Sequence, residues 1–394
     1  MLLKTGVSVA HDSLRVRASC REGVPVTVRD PSQREFHHDA VARRRPTLRE
    51  VASLASVSMK TASRVINGEP TVNEVLARRV RDAAERLDYR PNLTARSLRR
   101  SDRSTRTLGV VLFDVSNAFS SALERAIEDR ATQRGIVVIS SSVDEDPRRE
   151  RANALTLVSR QVDGLIIVPA GDDQSYLMRD QQMGLKVVFV DRLPRLLRAD
   201  AVVSDNRRGA HEAVTHLVDR GHQRIGFLGD RDHVATMQDR RQGYVDALND
   251  AGLDVDPSLV ITNLHTSVSI VNAVESLLSG DPPTALFTAQ NLITIESIRV
   301  LKRWGLGHHM ALVGFDDFAT ADLLDPAVTV ISQDPHTMGT LACEILLRRI
   351  DGDDAPVETH VLPVELIPRG SGEIAPQLDA LRELINGFTS RAPE

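Results

Sequence analysis

The stretch that decides the fold runs from Thr47 to Leu98 and reads TLREVASLASVSMKTASRVINGEPTVNEVLARRVRDAAERLDYRPNLTARSL. Thr47 and Glu50 form an S/T-x-x-E capping box, which satisfies two backbone N–H groups at the start of a helix. Ser58 is a natural N-cap for a second short helix that we expect to end near Asn67. Two short helices joined by a turn of three to four residues are typical of a helix-turn-helix.

A third helix should follow the break at Gly68-Glu69-Pro70, with Asn73 as its N-cap. Its apolar positions recur at helical spacing and would close a three-helix core: Leu76, Val80, Ala83, Ala84 and Leu87. The pattern therefore predicts a small, self-contained helical headpiece.

This stretch resembles the headpiece of the LacI (lactose repressor) family of bacterial transcriptional regulators. The similarity runs through TLREVA, VS, SRVING, the Tyr89-Arg90-Pro91-Asn92 exit and the Ala95-Arg96-Ser97-Leu98 hinge. It covers roughly fifty residues in register, which is more specific than a lone motif. One departure is Ser56, where the family usually has Gly in the turn. We expect a small stability cost there rather than another fold.

Charge is distributed unevenly along the chain. Between Arg43 and Arg106 the sequence has 16 Lys and Arg against 7 Asp and Glu, a net charge of +9, so the other residues sum to −14. A basic headpiece on an acidic body is typical of a protein that binds the phosphate backbone. A basic, solvent-exposed face with no DNA partner would explain the charge equally well. The charge together with the helix-turn-helix favours DNA binding.

Composition places the chain among soluble globular proteins. A length of 394 residues predicts two or three domains, and 41% hydrophobic with 26% charged residues is enough to build a core. Cys20 and Cys343 lie far apart, so we expect a reducing compartment, no disulfide, no metal site and no cofactor. The sequence has neither an apolar run of about 18 residues nor a signal-like apolar stretch, so we expect a cytoplasmic protein with no membrane partner.

Residues 1–45 show no periodicity, and we predict a disordered N-terminal extension. His37-His38 would suit a metal, but no second cluster accompanies them and a solvent-exposed tail is the better interpretation. Because family members usually begin a few residues before the capping box, Val41 is an alternative start. The intact mass of the native protein would decide between the two.

From Thr107 the pattern changes to apolar strands that alternate with amphipathic helices. The expected strands are 108–113, 136–141, 164–168, 186–190, 224–229, 285–288, 311–315 and 360–366, and the expected helices are 119–134, 147–160, 211–220, 238–249, 293–304 and 337–349. Such runs predict buried parallel strands in doubly wound βα units, and their length predicts two similar subdomains with a cleft. Residues 107–370 resemble the periplasmic-binding-protein-like effector core of the same family.

These patterns predict an α/β protein with an N-terminal three-helix helix-turn-helix headpiece and an effector core of two doubly wound parallel-sheet subdomains. The predicted segments are the extension 1–45, the headpiece 46–91, the hinge helix and linker 92–106, the core 107–370 and the tail 371–394. Leu378, Leu381, Leu384 and Ile385 in the tail have helical spacing. A docked surface helix is the expected outcome, with an assembly element as the alternative.

A recognition helix places its N-terminal side chains at base edges in the major groove. The resemblance puts the base-reading positions on Met59 and Lys60, and a base or phosphate contact on Arg64. Lysine can bridge guanine O6 and N7, and methionine offers apolar contact to a thymine methyl. Core packing is the alternative for Met59, but its place beside the N-cap argues against it. The predicted DNA-binding set in the headpiece is Thr47, Ser58, Met59, Lys60, Thr61, Ser63, Arg64 and Asn67, with the hydroxyl and amide groups suited to phosphate contacts.

The hinge continues this set with Asn92, Ala95, Leu98 and Arg99. So short a helix is unstable alone because nucleation is costly, so dimer pairing and minor-groove docking would order it. The resemblance implies that Leu98 inserts at a central base step and that Arg99 contacts the minor groove beside it.

Ligands of open α/β sheets bind at the carboxyl ends of the strands, so polar residues just after strands are the candidates for an effector site. They are Asp114, Asn117, Phe119, Asp191, Arg192, Arg240, Gln290, Asn291, Asp316 and Gln333, with Arg240 expected to open a helix. The resemblance implies ligand contact at seven of these positions: Asn117, Phe119, Asp191, Arg192, Arg240, Asp316 and Gln333. Carboxylates, arginines and amides suit vicinal hydroxyls and an aromatic ring suits a sugar face, so we expect a sugar effector. Gln290-Asn291 and Ser120 depart from the common family residues, which leaves the sugar open. Each residue alone would also suit a strand-end cap or a surface salt bridge.

The sequence therefore predicts a regulator, expected to be a repressor, that binds a pseudo-palindromic DNA operator as a homodimer and is controlled by a small molecule. No GxSxG, GxxxxGK[ST] or metal-spaced Cys/His motif supports catalysis. A solute-binding protein, an enzyme on the same scaffold and an architectural DNA binder are the alternatives.

Overall fold

The computed structural model describes residues 44–69, 71–90 and 104–390. The chain divides into two compact units, Met1–Pro91 and Asn92–Glu394. The predictions for Asn92, Ala95, Leu98 and Arg99 lie outside the described residues, as do those for residues 1–43.

The headpiece has the three predicted helices, α1 (Leu48–Leu54), α2 (Met59–Ile66) and α3 (Glu74–Arg86). The capping box and the N-caps Ser58 and Asn73 are confirmed: each cap side chain accepts a hydrogen bond from a backbone N–H of the helix it starts. The buried core is built of small apolar residues, Val51, Ala52, Ala55, Ala62, Val80 and Ala83. Such small side chains let the helices approach closely enough to exclude water.

Ser56 in the turn between α1 and α2 has a φ of 50°, in the left-handed region. Its backbone N–H donates to Ser53 O at 3.0 Å, and the N–H of Val57 donates to Ala52 O at 3.0 Å, so these bonds end α1. A Cβ atom costs about 1–2 kcal/mol in this conformation, which glycine avoids. The expected cost at Ser56 therefore has its origin in the backbone conformation.

The second unit is an α/β core followed by a C-terminal helix. Its strands are β1 (Thr107–Leu112), β2 (Val137–Ser142), β3 (Gly164–Ile167), β4 (Lys186–Val190), β5 (Asp200–Ser204), β6 (Ile225–Leu228), β7 (Val260–Ile261), β8 (Ala285–Thr288), β9 (Ala311–Phe315), β10 (Thr329–Ser332), β11 (Thr359–Leu362) and β12 (Glu365–Ile367). Its helices are α4 (Ala118–Thr132), α5 (Pro147–Ser159), α6 (Met178–Gln182), α7 (Asn206–Val218), α8 (Ala235–Asp250), α9 (Ser267–Leu278), α10 (Asn291–Arg303), α11 (Pro335–Ile350) and α12 (Leu378–Thr389).

The strands form two six-stranded sheets, one for each predicted subdomain. The N-terminal sheet has the order β11-β5-β4-β3-β1-β2 and is parallel throughout. The C-terminal sheet has the order β12-β10-β9-β8-β6-β7 and is parallel except for β12, which pairs antiparallel with β10. The central strands are buried on both faces by helices, as expected for doubly wound units.

The prediction of one strand over 360–366 is wrong. β11 pairs with β5 in the N-terminal sheet, with Leu362 opposite Ser204, whereas β12 pairs with β10 in the C-terminal sheet, with Glu365 opposite Ser332. Pro363 lies between them and lacks the N–H that a continuing strand would donate. The seven apolar-rich residues therefore form a crossover between the subdomains.

Two further crossovers join the subdomains, one between β5 and α7 and one between β10 and α11. Helix α11 follows the C-terminal strand β10 but packs in the N-terminal core, where Met338, Cys343 and Leu346 are fully buried. The N-terminal subdomain is therefore completed by residues far along the chain.

The tail after Gly370 packs on the C-terminal subdomain. Ser371 Oγ donates to Leu312 O at 2.6 Å and accepts from Thr329 N at 2.9 Å. In α12, Leu381 is fully buried in the core, and the ring of Phe388 stacks on Trp304 at 4.3 Å between centroids. The prediction of a docked surface helix is confirmed.

Candidate DNA-binding helix and effector cleft

The first turn of α2 presents two side chains to solvent. Met59 is 45% exposed and Lys60 is exposed, whereas Ala62, one turn further along the inner face, is fully buried. The alternative that Met59 packs in the core is therefore excluded. The exposed pair lies at the N-terminal end of the second helix of a helix-turn-helix, which is the end that reads bases in such proteins.

The other predicted DNA-binding side chains of the headpiece have partners within it. Ser58 Oγ accepts from Thr61 N at 3.0 Å and lies 2.9 Å from Thr61 Oγ1. Asn67 Nδ2 donates to Ser63 Oγ at 3.4 Å. Hydroxyl groups held in this way can still donate to or accept from an oxygen outside the headpiece.

Thr47 and Arg64 are likewise partnered. Thr47 N and Thr47 Oγ1 donate to Glu50 Oε2 at 2.6 and 2.9 Å, and these two bonds lower the pKa of Glu50. Arg64 Nε lies 3.4 Å from Glu69 Oε2 at the surface, a pairing weak enough to yield to a phosphate. DNA contact by each of these residues stays a prediction.

The carboxyl ends of the inner strands meet at a cleft between the two subdomains, with a cavity volume of about 60 Å³. Its walls are polar and aromatic, and all the predicted effector residues except Asp114 and Asn291 line it. The lining residues are Phe113, Asn117, Phe119, Ser120, Glu145, Val168, Asp191, Arg192, Asp230, Val234, Thr236, Met237, Arg240, Ala289, Gln290, Asp316 and Gln333. Small-molecule sites commonly combine apolar and aromatic walls with a few polar groups in this way.

Asp114 and Asn291 are not among the residues that line the cleft, and their contact with an effector stays a prediction. The carboxylate of Asp114 accepts from Ser116 N at 2.8 Å and from Ser116 Oγ at 2.6 Å, which folds it back on its own loop. Asn291 is buried, and its Oδ1 accepts from Asn117 Nδ2 at 3.0 Å. That bond joins the start of α4 to the start of α10 across the cleft.

Arg192 is fixed by a buried salt bridge to Glu145. Its Nη1 and Nη2 donate to Glu145 Oε2 and Oε1 at 2.6 and 2.5 Å, and Nη1 also donates to Pro169 O at 2.8 Å. Burial alone would lower the pKa of Arg192, but the charge of Glu145 and its hydrogen bonds raise it instead. Arg192 is therefore a fixed cation with its fork already occupied.

Arg240 lies in the second turn of α8 and does not open the helix as predicted, because α8 begins at Ala235. Its Nε donates to Asn206 Oδ1 at 2.8 Å, and its Nη1 donates to Ala289 O at 2.8 Å and to Asp316 Oδ2 at 3.4 Å. The guanidinium carbon lies 3.7 Å from the centroid of the Phe315 ring, a cation–π contact.

Gln333 and Asp316 form the third polar group of the cleft. Gln333 Nε2 donates to Asp316 Oδ1 at 2.6 Å, and Gln333 Oε1 is buried with no hydrogen-bond partner among the described residues. A buried acceptor without a donor costs about 1–3 kcal/mol, so this oxygen favours a ligand that donates a hydrogen bond.

Two carboxyl groups in the cleft have raised pKa values. Burial raises the pKa of Asp191, with Arg192 opposing the change. Burial also raises the pKa of Asp230, against a hydrogen bond from Arg231 N at 2.8 Å. Displaced pKa values in a polar cleft are typical of a functional site.

The sequence predictions omitted Glu145 and Asp230, which both line the cleft. Asp230 directly follows Gly229, where the predicted strand 224–229 ends, so the strand-end rule applied to that strand would have found it. Glu145 lies in the loop after β2, where no periodicity marks it.

Residues 47–92 match the profile "Bacterial regulatory proteins, lacI family", and residues 214–372 match that of a periplasmic binding protein-like domain. Catabolite control protein A of Priestia megaterium is 31% identical over 321 residues, which are 80% of this chain and 96% of that protein. The chain belongs to the LacI family. It is a DNA-binding transcriptional regulator of this family, with a periplasmic-binding-protein-like core.

Solved structures of LacI-family regulators have the same fold. The Lac repressor dimer bound to operator and the anti-inducer ONPF has a TM-score of 0.73 and 26% identity, and the match covers 84% of this chain and 99% of that one. The complex of the transcriptional regulator CelR with cellobiose has a TM-score of 0.61 and 28% identity, with coverage of 83% and 100%. The predicted fold class and family are therefore confirmed.

Within residues 44–69, 71–90 and 104–390, no helix is long and apolar enough to cross a membrane. The same residues contain no group of three or more His, Cys, Asp or Glu side chains placed to hold a metal ion.

Proposed function

We propose that this LacI-family regulator is a homodimeric repressor whose headpieces bind a pseudo-palindromic operator and whose cleft binds a sugar. Relatives named as repressors, such as the ribose operon repressor of Haemophilus influenzae at 29% identity, support this proposal. The observation that carries it is the exposed first turn of α2, since Met59 and Lys60 have no role in the headpiece core.

In this proposal Lys60 bridges a guanine and Met59 contacts a thymine methyl, while Thr47, Ser58, Thr61, Ser63, Arg64 and Asn67 position the headpiece on phosphates. Asn92, Ala95, Leu98 and Arg99 form the hinge, with Leu98 at the central base step. A palindromic site follows because the two headpieces of a symmetric dimer read two inverted half-sites.

A sugar suits the cleft because its walls combine acceptors, fixed arginines and an aromatic ring. Asp191, Asp316 and Gln333 Oε1 can accept from hydroxyl groups, and Phe119 offers a ring to the apolar face of a pyranose or furanose. Bound sugar controls DNA binding only through a difference in its affinity for the DNA-competent and DNA-incompetent states. The crossovers at Ser204, Ser332 and Pro363 provide a place for the two subdomains to rotate between such states.

The edge strand β2 supports the homodimer. Val137 and Ile139 lie on one face of this strand and are 60% and 40% exposed. Exposed apolar side chains on an edge strand promote aggregation unless a partner surface covers them. Sedimentation of the full chain should give a dimer, and Val137→Asp should shift it toward monomer.

The deciding experiment is retention of genomic DNA fragments by the purified full chain, with sequencing of what it retains, with and without sugars. A shared palindromic site whose retention changes with one sugar is the expected result. Retention with no common site would contradict the proposal and leave a non-specific DNA binder. Turnover of the added sugar, followed by mass spectrometry, would instead indicate an enzyme.

A further inference from the structure

The cleft carries an excess of negative charge. Glu145, Asp191, Asp230 and Asp316 line it against Arg192 and Arg240, a formal charge of −2 when all are ionised. None of the described lining residues is a lysine or a histidine. Cavities that bind anions normally show the opposite balance, with arginine forks or lysines free to meet the charge.

Both arginines of the cleft already donate two or more hydrogen bonds to protein groups. Arg192 uses Nη1 and Nη2 on Glu145 and Pro169 O, and its Nε lies 3.2 Å from Asp191 Oδ2. Arg240 uses Nε and Nη1 on Asn206, Ala289 O and Asp316. To bind either guanidinium with two hydrogen bonds, a phosphate would have to break one of these bonds and leave a buried acceptor unpaired, which is costly.

Two buried side-chain atoms of the cleft have no hydrogen-bond partner among the described residues, the donor Arg192 Nε and the acceptor Gln333 Oε1. Gln333 Oε1 is buried without a partner, and the side chain of Gln333 is 7% exposed. Among the described residues, the side chain of Asp191 has Arg192 as its only partner. Hydroxyl groups can donate to such oxygens, whereas a phosphate dianion has no proton to donate.

We propose that the cleft discriminates against anions, so that the effector is an unphosphorylated sugar or related polyol, and that Asp191 and Asp230 set this discrimination. This inference rests on the proposed sugar-controlled function. The regulator then responds to the substrate of a sugar-phosphorylating reaction and not to its product.

Burial makes a negative charge costly inside the cleft. It raises the pKa of both Asp191 and Asp230, although Arg192 and a hydrogen bond from Arg231 N, respectively, favour their charged forms. An incoming anion would meet the same cost of burial. Repulsion between two unit charges about 6 Å apart, at an effective dielectric constant of about 20, corresponds to about a hundredfold in Kd.

The test is calorimetric titration of the full chain with three pairs of probes: glucose and glucose 6-phosphate, ribose and ribose 5-phosphate, and fructose and fructose 6-phosphate. At least one free sugar should bind, and its phosphate ester should bind about a hundredfold more weakly or not at all. An ester that binds as tightly as its free sugar would overturn the proposal.

Variants assign the discrimination to residues. Asp230→Asn and Asp191→Asn should each reduce the preference for the free sugar by about tenfold or more, because each removes one negative charge at nearly constant volume. Asp232→Asn is the matched control, since Asp232 is exposed in the same loop and its carboxylate accepts from Asn263 Nδ2 at 2.7 Å. An unchanged preference in both cleft variants would also overturn the proposal.

Failure of every free sugar and every ester to bind contradicts the sugar class and with it this inference. Specific retention of a palindromic DNA site would in that case leave the DNA-binding half of the proposed function standing. Loss of both results would reject the proposed function itself.

Discussion

Asp191 and Asp316 occupy equivalent positions in the two sheets. Asp191 follows β4, the third strand counted from the edge strand β11, and Asp316 follows β9, the third strand counted from the edge strand β12. Both residues have a positive φ, 67° for Asp191 and 71° for Asp316. Asp191 N donates to Val202 O at 2.9 Å, and Asp316 N donates to Ile331 O at 2.8 Å. The same backbone device therefore presents one carboxylate to the cleft from each subdomain.

The positive φ of Asp316 determines which substitution can test its role. Asn tolerates a positive φ better than Ala does, so Asp316→Asn removes the charge without adding backbone strain. Because the variant loses a charged acceptor beside Arg240 and Gln333, we expect effector binding to weaken by about 1.5–3 kcal/mol. Operator binding without effector should be unchanged. Calorimetry and DNA retention measure the two effects, and an undiminished effector response would remove Asp316 from the site. Asp322→Asn, an exposed change, is the control.

Lys60→Ala should relax base preference at one operator position by about 1–3 kcal/mol, because a bidentate contact to one guanine is lost. Binding to a library of operator variants, read by sequencing, gives the preference at every position. Arg79→Ala, an exposed change on α3, should at most weaken binding to all sequences alike. If the base preference of Lys60→Ala matched that of the parent chain, Lys60 would be a phosphate contact at most.

Ser56→Gly should stabilise the headpiece by about 1 kcal/mol, because glycine adopts a φ of 50° without the cost that a Cβ atom brings. Hydrogen exchange of peptides from residues 47–90 reports this stability in the full chain. Ser53→Gly is the control: Ser53 is exposed inside α1, where glycine should instead destabilise by about 0.5 kcal/mol. Faster exchange in Ser56→Gly would contradict the prediction.

The stability of the C-terminal subdomain should fall as the pH drops below about 6.5, the ordinary pKa of histidine. Burial lowers the pKa of His222, whose Nδ1 lies 2.8 Å from Thr284 Oγ1 and whose Nε2 lies 2.8 Å from Ile374 O. The folded state therefore favours neutral His222. The stabilisation from this preference is fully present above the pKa that His222 has in the unfolded state. It is lost as the pH falls toward the lower pKa that His222 has in the folded state.

Urea unfolding at pH 7.5 and pH 5.5 measures this loss. His222→Gln should show a smaller difference between the two pH values than the parent chain, because glutamine does not titrate. His233→Gln, at an exposed position, should keep the difference of the parent chain. An equal pH dependence in His222→Gln and the parent chain would assign the effect to other groups, His216 first, since burial lowers its pKa too.

Short-range chemistry made the headpiece predictable from sequence. The caps Thr47, Ser58 and Asn73 act on backbone groups within three residues, so their effect can be read locally. The apolar runs of the core predicted β4, β8 and β9 with their observed bounds, because a run of apolar residues is also a local pattern. Asn117, Asp191 and Asp316 followed from one topological rule about strand ends.

The misses concern information that is not local. The sequence patterns did not predict β5, which begins at Asp200. The carboxylate of Asp200 accepts hydrogen bonds at 2.8 and 2.9 Å from Arg349, which lies 149 residues away in the chain. The strand assigned to 360–366 divides because its two halves pair with strands in different sheets. Glu145 enters the cleft because Arg192, on another loop, fixes it there. No window along the sequence contains both members of these pairs.

The crossovers between the subdomains have a consequence for synthesis of the protein. The N-terminal core needs α11 and β11, yet the ribosome makes the C-terminal strands β6 to β10 before either of them. Until residues 335–362 emerge, the apolar faces of β3, β4 and β5 that α11 covers have no permanent partner. A chain released before that point exposes them together, so premature termination of this protein should yield aggregates and no stable N-terminal fragment.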